Sequence, residues 1–317
     1  MADGSPTVRR RELASALRRL RLDKGLTVEQ VAELLMCSAS KISRMETAHR
    51  AATLRDVRDL CKIYGVSDEA ERDRLMTLAR KAREQGWWQS FDLPYSTYIG
   101  LEAEAVAVKD FDSAVVPGLL QTAAYARALC AAPLPEPSIP VLTPELIDQQ
   151  VAARLRRQAL LRKARGRSKL RLHAVIDEAV LHRVIGSPAV MDDQLARLIG
   201  MSRAQNVTVQ IVPYSAGAHP ALDSTFNILE FANGAPSVVY VEGLVGKIYV
   251  ERPDEVGRYL RVFDWLSDMA LSPSRSAELM SAARSSYAAP LTLFREEVLN
   301  NLRWDSGYMP ADLRRGV

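Results

Sequence analysis

The sequence predicts two structural units, a helical N-terminal domain followed by a mixed α/β domain. In residues 1–86, apolar side chains recur at the three- and four-residue spacing of amphipathic helices, and capping residues precede most of these segments. In residues 87–286, short stretches of alternating apolar and polar residues, typical of strands, are interleaved with helical stretches. Residues 287–317 are predicted to form a C-terminal helix and tail. The predicted fold class is therefore multi-domain, an all-α five-helix domain and then a mixed α/β domain.

The overall composition excludes several classes of protein. The 317 residues contain no apolar stretch near the roughly 18 residues of a membrane span, and the polar, then basic N-terminus shows no secretory signal. We therefore expect a cytoplasmic protein with no membrane partner. The three cysteines, Cys37, Cys61 and Cys130, are far apart and form no C-x-x-C pair, which excludes a disulfide framework and a zinc ribbon. No metal site and no cofactor is expected.

The excess positive charge lies in the first domain. Residues 1–86 hold 18 Lys and Arg against 13 Asp and Glu, whereas the other residues hold 24 against 25. A small basic domain joined to a larger neutral one is typical of a module that binds a polyanion and carries a control domain.

Five short helices are predicted in the N-terminal domain. The first carries an apolar stripe at Leu13, Leu17 and Leu20 and ends at Gly25. Side chains that cap helix N-termini precede the other four, and the second also has the glutamine of a capping box. The capping residues are Thr27, Ser38, Thr53 and Ser67, and the glutamine is Gln30. The fifth helix is predicted to run to Gly86.

Strand and helix signals alternate through the second domain. Strands are predicted at residues 170–176, 207–211, 226–231, 238–241 and 247–250. Helices are predicted at residues 99–109, 121–129, 144–164, 191–205, 253–269 and 273–285. The helix at 144–164 is basic, and we expect its Arg154, Arg156 and Arg157 on a solvated face, with contact to DNA flanks or an anionic partner as the alternative.

Helices two and three have the spacing of a helix-turn-helix, because only Met36 and Cys37 separate them. At about 100° per residue, Ile42 and Met45 point to one side of helix three, and Ser40, Ser43 and Arg44 point to the other. Small residues allow close approach to the major groove, and an arginine pairs bidentately with guanine. Lys41, on the flank, is expected to meet phosphate. The predicted DNA-contacting residues are Thr27, Val28, Ser38, Ala39, Ser40, Lys41, Ser43, Arg44, Arg50 and Thr53.

The segments LTVEQVAELL (26–35) and SASKISRME (38–46) resemble the phage-repressor, or xenobiotic-response-element, family of helix-turn-helix regulators. The resemblance implies that the start of helix three reads bases and that Glu46 forms a buried structural ion pair with Arg21. Two positions depart from the family pattern. Met36 replaces the turn glycine, and Ala48 replaces the glycine that usually follows the glutamate by two residues.

Most of the remaining chain resembles a second family. The segments GWW (86–88), YIGLEAEA (98–105), VPGLLQT (116–122) and SAGAHP (215–220) are similar to those of actinobacterial WhiJ-like regulators. In these proteins a helix-turn-helix precedes a large domain of unassigned function. The resemblance implies an antitoxin-like regulator paired with a small protein encoded nearby.

Four residues of the second domain are candidates for contact with a ligand or partner. They are Trp87, Trp88, Tyr98 and His219. The alternative for the aromatic residues is an interdomain core, and for the histidine a structural hydrogen bond. No catalytic residue is predicted, because no nucleophile motif, phosphate-binding loop or dinucleotide fingerprint is present.

Three functional hypotheses follow. The first is a transcriptional regulator that binds a double-stranded inverted-repeat operator as a homodimer, with a C-terminal domain that dimerises and responds to a small protein or ligand. An apolar stripe at Leu291, Phe294, Val298 and Leu302 is predicted to contribute to the dimer. The second is an antitoxin-like interaction protein whose DNA binding serves autoregulation. The third is an enzyme tethered to DNA, which requires a metal or a polar pocket with converging ionisable groups.

Overall fold

A computed structural model of the chain describes residues 6–84, 86–91, 95–132, 143–162, 169–232, 234–243 and 246–288. Its N-terminal part consists of five helices, as predicted. They are α1 (Pro6–Asp23), α2 (Val28–Leu34), α3 (Ala39–Glu46), α4 (Leu54–Tyr64) and α5 (Glu69–Lys81). Buried Leu17, Val31, Ile42, Leu60 and Leu75 belong to one apolar core that all five helices share.

The helix N-termini form where capping side chains accept backbone hydrogen bonds. The hydroxyl groups of Thr27, Ser38 and Thr53 cap α2, α3 and α4, and their prediction as caps is confirmed. The prediction of Ser67 as the cap of α5 is wrong by one residue. Asp68 takes that position, because its carboxylate Oδ1 accepts a hydrogen bond from the backbone N–H of Ala70 at 3.0 Å.

The second part is built on a six-stranded mixed sheet. Its strands are β1 (Ala107–Asp112), β2 (Arg171–Asp177), β3 (Val207–Val212), β4 (Phe226–Glu230), β5 (Val238–Gly243) and β6 (Gly246–Val250). The strand order is β3-β2-β1-β4-β5-β6, in which β1, β2 and β3 are parallel and the pairs from β1–β4 onwards are antiparallel. Strand β1 therefore lies where the sheet changes from parallel to antiparallel pairing.

Five of these strands are the predicted ones. The sixth, β1, begins inside the helix that the sequence predicts at 99–109, and that prediction is wrong beyond residue 102. The helix here, α6 (Ser96–Glu102), is shorter, and the chain then enters the strand. Asp110 and Asp112 share a face of β1 with the core residue Val108, so the strand lacks the apolar alternation that identifies its neighbours.

Helices cover both faces of the sheet. They are α7 (Ala123–Cys130), α8 (Pro144–Arg157), α9 (Ala159–Arg162), α10 (Ala179–His182), α11 (Pro188–Met201), α12 (Pro253–Met269) and α13 (Pro273–Ala288). One core joins α6, α7, α11 and α13 to one face, and a second core joins α12 to the other. The predicted helix at 144–164 is interrupted at Gln158, between α8 and α9. The predicted C-terminal stripe lies outside the described residues.

The two parts contact each other through α1. This helix packs on α6, where a Cβ on Gly100 would collide with the Thr7 hydroxyl. Arg11 of α1 pairs with Glu251, which follows β6, and its guanidinium lies 5.4 Å from the ring centroid of Tyr249. Among the described helices, none has both the length and the apolar character to cross a membrane.

Candidate DNA-binding surface and C-terminal cavity

The turn between α2 and α3 is fixed by backbone hydrogen bonds. The N–H of Cys37 donates to Ala32 at 2.8 Å, and that of Met36 donates to Glu33 at 3.0 Å. Met36 has φ +49°, in the left-handed region that favours glycine, and its side chain is 92% exposed. Ala48, after α3, has φ +59°. The two positions that depart from the family pattern thus keep a glycine-like backbone.

Arg21 and Glu46 hold α1 against the C-terminal end of α3. The guanidinium Nε and Nη2 donate to the two carboxylate oxygens of Glu46, each at 2.8 Å, and Nη1 donates to the carbonyl of Leu26 at 2.8 Å. The side chains of Arg21 and Glu46 are only 10% and 6% exposed. A bidentate pair of this kind fixes direction as well as distance. The orientation of α3 in the domain is therefore set at both of its ends, by this pair and by the turn.

The opposite face of α3 is open to solvent. Ser40, Ser43 and Arg44 are exposed, whereas Ile42 and Met45 are buried beneath them. Thr27, Ser38 and Arg50 are also exposed, and Val28, Ala39 and Thr53 are half-buried. The face is therefore narrow and made of short hydroxyl groups with one long cation.

Lys41 has a partner within the domain. Its ammonium lies 2.6 Å from Oδ1 of Asp56 in α4, and the other carboxylate oxygen accepts the backbone N–H of Thr53 at 3.0 Å. Burial opposes the charge on Asp56, but the hydrogen bonds from Lys41 and Thr53 outweigh it and lower the pKa of the carboxyl. A phosphate contact by Lys41 stays a prediction, and it competes with this ion pair.

A cavity of about 280 Å³ lies in the second domain at the carboxyl end of β1. In open α/β sheets, ligands bind outside the carboxyl ends of the strands, at the point where the strand order switches. Ionisable and aromatic side chains converge on this cavity, and they include Tyr95, Tyr98, Asp110, Asp112, Arg154 and Tyr240.

A second buried ion pair lies beside this cavity, which its arginine lines. Arg157 donates from Nε and Nη2 to the carboxylate of Glu102 at 2.6 and 2.7 Å, and the Tyr98 hydroxyl donates to the same carboxylate at 3.0 Å. Glu102 is 0% exposed. The expectation of a solvated Arg157 is therefore wrong, because its helix turns this residue inward to neutralise a carboxylate 55 residues away in the chain.

Asp110 is a carboxyl group of the cavity that forms no ion pair with a cation among the described residues. It is 4% exposed, and its Oδ1 has no hydrogen-bond partner among the described residues. Burial, together with the negative charge of Glu102, raises its pKa to about 7. Burial and the neighbouring Asp110 and Glu242 also raise the pKa of Asp112. These groups gave no signal in the sequence as one site, since Glu102, the aspartates of β1 and Glu242 belong to three different elements.

The four candidates for ligand contact fall in three places. Tyr98 lines the cavity. Trp88 is buried, and the ring of Trp87 packs edge-on against the ring of Trp88. The guanidinium of Arg156 lies 4.4 Å from the centroid of the Trp87 ring. His219 is buried elsewhere, 5.6 Å from the ring of Phe111, and its Nδ1 accepts the backbone N–H of Ala221 at 3.4 Å. Only Tyr98 of the four lies at the cavity, and no group of three His, Cys, Asp or Glu among the described residues is arranged to hold a metal ion.

Comparison with known protein families finds two matches along the chain. No curated protein and no solved structure matches it. Residues 12–75 match a family described as a helix-turn-helix domain, which identifies the first part of the protein as the DNA-binding domain of a regulator. Residues 95–282 match the family described as a domain of unknown function (DUF5753). Because this second match covers more than half of the chain, the protein belongs to the DUF5753 family and carries a helix-turn-helix domain before the domain that defines it.

Proposed function

We propose that the protein is a sequence-specific transcriptional regulator that reads an inverted-repeat operator with the exposed face of α3. The observation that carries this proposal is the placement of Ser40, Ser43 and Arg44. They form the outer face of a helix whose inner face is locked by Ile42, Met45 and the Arg21–Glu46 pair. A preorganised helix loses little conformational freedom when it enters the major groove.

The residues of this surface have different proposed roles. Arg44 is long enough to pair with the O6 and N7 atoms of guanine, whereas the two serines allow the helix to approach the bases. Exposed Arg50 contacts phosphate, and Arg55, which is 84% exposed at the start of α4, is a further candidate. The remaining contacts proposed at the edge of the surface come from Thr27, Val28, Ser38, Ala39, Lys41 and Thr53.

The second domain is proposed to dimerise the protein and to control the first. The packing of α1 on α6, with Arg11 held by Glu251 and Tyr249, supports a mechanical connection between the two. If the two domains can adopt two relative arrangements, a ligand or partner changes the affinity for DNA only when it binds one arrangement more tightly than the other. The converging ionisable groups of the cavity meet the condition that the enzyme hypothesis requires, but we propose binding without turnover, because its described lining contains no Ser, Cys or His to form a nucleophile–base pair.

A second candidate function is that of an antitoxin-like interaction protein, which mainly binds a small partner protein and binds DNA for autoregulation. Large apolar side chains of the second domain that are exposed favour it, namely Tyr214, Leu222, Ile248 and Trp265. Purification of the protein together with the product of the neighbouring gene, followed by mixing with operator DNA, distinguishes the two functional hypotheses. A regulator that responds to a partner releases the DNA when the partner is added, and the partner is recovered intact. A chemically altered partner would instead support the enzyme hypothesis.

The test of the main proposal uses the operator itself. The full chain selects duplexes from a random-sequence pool, and we expect an inverted repeat with half-site centres roughly 10 base pairs, or a multiple, apart. Arg44→Ala should then lose about 1–3 kcal/mol per half-site on the selected duplex and little on a scrambled one. Arg80→Ala, at an exposed position of α5, is the matched control. Equal losses on both duplexes for Arg44→Ala would make this residue a phosphate contact and overturn the assignment of the reading face.

A further inference from the structure

The cavity at the end of β1 has more carboxylates than cations free to balance them. Asp110, Asp112 and Glu242 line it. Of the two lining guanidinium groups, Arg157 is already neutralised by Glu102, whereas Arg154 donates to the neutral Gln121 side chain at 2.8 Å and keeps its charge, so one such cation faces three lining carboxylates. Glu242 has Lys247 at 3.8 Å. Asp110 and Asp112 are left without a cationic partner among the described residues.

We propose that this cavity binds a small organic cation with at least two N–H donors, an amidine, guanidine or primary amine. The second observation is a pair of buried polar atoms without partners at this cavity. Asp110, which is 4% exposed, and Tyr95, which is 8% exposed, both line the cavity, and neither Oδ1 of Asp110 nor the Tyr95 hydroxyl has a hydrogen-bond partner among the described residues. An unpartnered buried acceptor is costly, and a charged donor compensates it best.

Aromatic rings complete a site for a cation. Tyr95, Tyr98 and Tyr240 line the cavity, and the rings of Tyr98 and Tyr240 lie 4.5 Å apart. Cations already pack on these rings, since the Arg157 guanidinium lies 5.0 Å from the centroid of Tyr98 and the Lys247 ammonium 5.7 Å from that of Tyr95. The cavity volume of about 280 Å³ is close to the lower end for small-molecule sites, which favours a compact ligand.

The same residues connect the cavity to the DNA-binding domain. Tyr240 packs on Tyr249 with their centroids 5.3 Å apart, and Tyr249 lies under Arg11 of α1. A ligand against Tyr240 therefore touches the first of two contacts that lead to the helix-turn-helix. This regulatory role of the ligand rests on the proposed function, but the binding site does not.

Three molecules of one shape and different charge test the proposal. The full chain is titrated by calorimetry, in the absence of DNA, with benzamidine, benzamide and benzoate. Benzamidine, the cation, should bind at least about tenfold more tightly than neutral benzamide, and benzoate should bind least. Asp110→Asn should weaken benzamidine by about tenfold or more and leave benzamide unchanged. Asp268→Asn, which changes an exposed carboxylate of α12, is the control and should change neither.

Proton release provides an independent readout. Asp110 is faced by Glu102 and Tyr98 from α6, Arg157 from α8 and Asn227 from β4, and Asp112 and Glu242 also line the cavity. Because the pKa of Asp110 is about 7, a bound cation should displace part of a proton at pH 7. Titrations in two buffers of different ionisation enthalpy measure this release, and Asp110→Asn should reduce it.

Three results would overturn the proposal. They are no binding of benzamidine at millimolar concentration, equal affinity for benzamide or benzoate, and an Asp110→Asn variant that binds like the wild type. Circular dichroism of the variant confirms that it is folded. Since the titrations contain no DNA, their failure leaves operator reading by Arg44 intact, and failure of operator reading leaves the site intact.

Discussion

The two parts of the molecule each contain a buried, bidentate arginine–carboxylate pair, and the pairs have different surroundings. Arg21 and Glu46 lie in a closed apolar core, and Arg21 uses its remaining donor on a carbonyl. Arg157 and Glu102 lie beside a cavity in which Asp110 has no cation of its own.

The difference shows how to distinguish a structural ion pair from one at a binding site. In the first pair the charges and donors are balanced, so it orients α3 and leaves nothing for a ligand. In the second pair, Glu102 neutralises the charge of Arg157. Burial, together with the negative charge of Glu102, raises the pKa of nearby Asp110. Burial alone does not identify a site, because both pairs are buried. What identifies a binding site is a neighbouring buried carboxyl group, here Asp110, that forms no ion pair among the described residues.

The largest effect is expected from breaking the second pair. Arg157→Ala leaves Glu102 charged and fully buried, which should lower the free energy of unfolding by about 4 kcal/mol. Urea denaturation followed by tryptophan fluorescence measures it, since all four tryptophans lie outside residues 1–86. A loss below about 1 kcal/mol would mean that Glu102 is hydrated or protonated in the folded state.

Breaking the first pair should cost slightly less. Arg21→Ala leaves Glu46, whose side chain keeps 6% exposure, and should destabilise the helical part by about 3 kcal/mol. Far-ultraviolet circular dichroism of the full chain follows the helices, and the tryptophan transition serves as an internal control. If both transitions shift together, the two parts unfold as one unit and the pairs are not independent.

Asp110→Asn should have the opposite sign and a pH dependence. The folded-state pKa of Asp110 is about 7, above its usual 3.8, so the folded protein holds the proton more tightly than the unfolded chain. The stability from this group is greatest below its unfolded pKa and is lost as the pH rises through about 7. The variant should therefore be more stable than the wild type by a few kcal/mol at pH 8 and about equal at pH 4. Urea denaturation at several pH values measures this, and a gain independent of pH would contradict it.

The smallest effect on stability is expected at two strained backbone positions of the helix-turn-helix. Met36→Gly and Ala48→Gly relieve a positive φ at positions of +49° and +59° and should each stabilise the protein by about 0.5–1 kcal/mol. Exposed Met36 loses no packing. Thermal denaturation measures the gain, and Ala51→Gly, outside any helix, is a control expected to show none.

The first domain was predictable because its signals are local. Each capping side chain lies within three residues of the N–H it accepts, and the apolar residues of each helix repeat within four. The faces of α3 followed directly. The Lys41–Asp56 pair was missed, because the two residues are 15 positions apart and lie in different helices. The aspartate at the third position of α4 was the visible indication of a carboxylate near the start of that helix.

The cavity was not predictable by the same means. Arg157, which lines it, pairs with Glu102 from a distant part of the chain, and β1 contributes Asp110 and Asp112 at core-facing positions. Charged residues at such positions remove the alternation that identifies a strand. Only the paired strands, which place β1 between β2 and β4, bring these groups together.

The most direct measurement of base reading combines Arg44→Ala with a change of one atom in the DNA. In each half-site of the selected operator, the guanine proposed to face Arg44 is replaced by 7-deazaguanine, which lacks the N7 acceptor. The wild type should lose about tenfold in affinity per half-site, and Arg44→Ala, already weakened, should lose nothing further. If the variant loses the same factor as the wild type, Arg44 does not read that base, and the exposed face of α3 is not the surface that gives this protein its specificity.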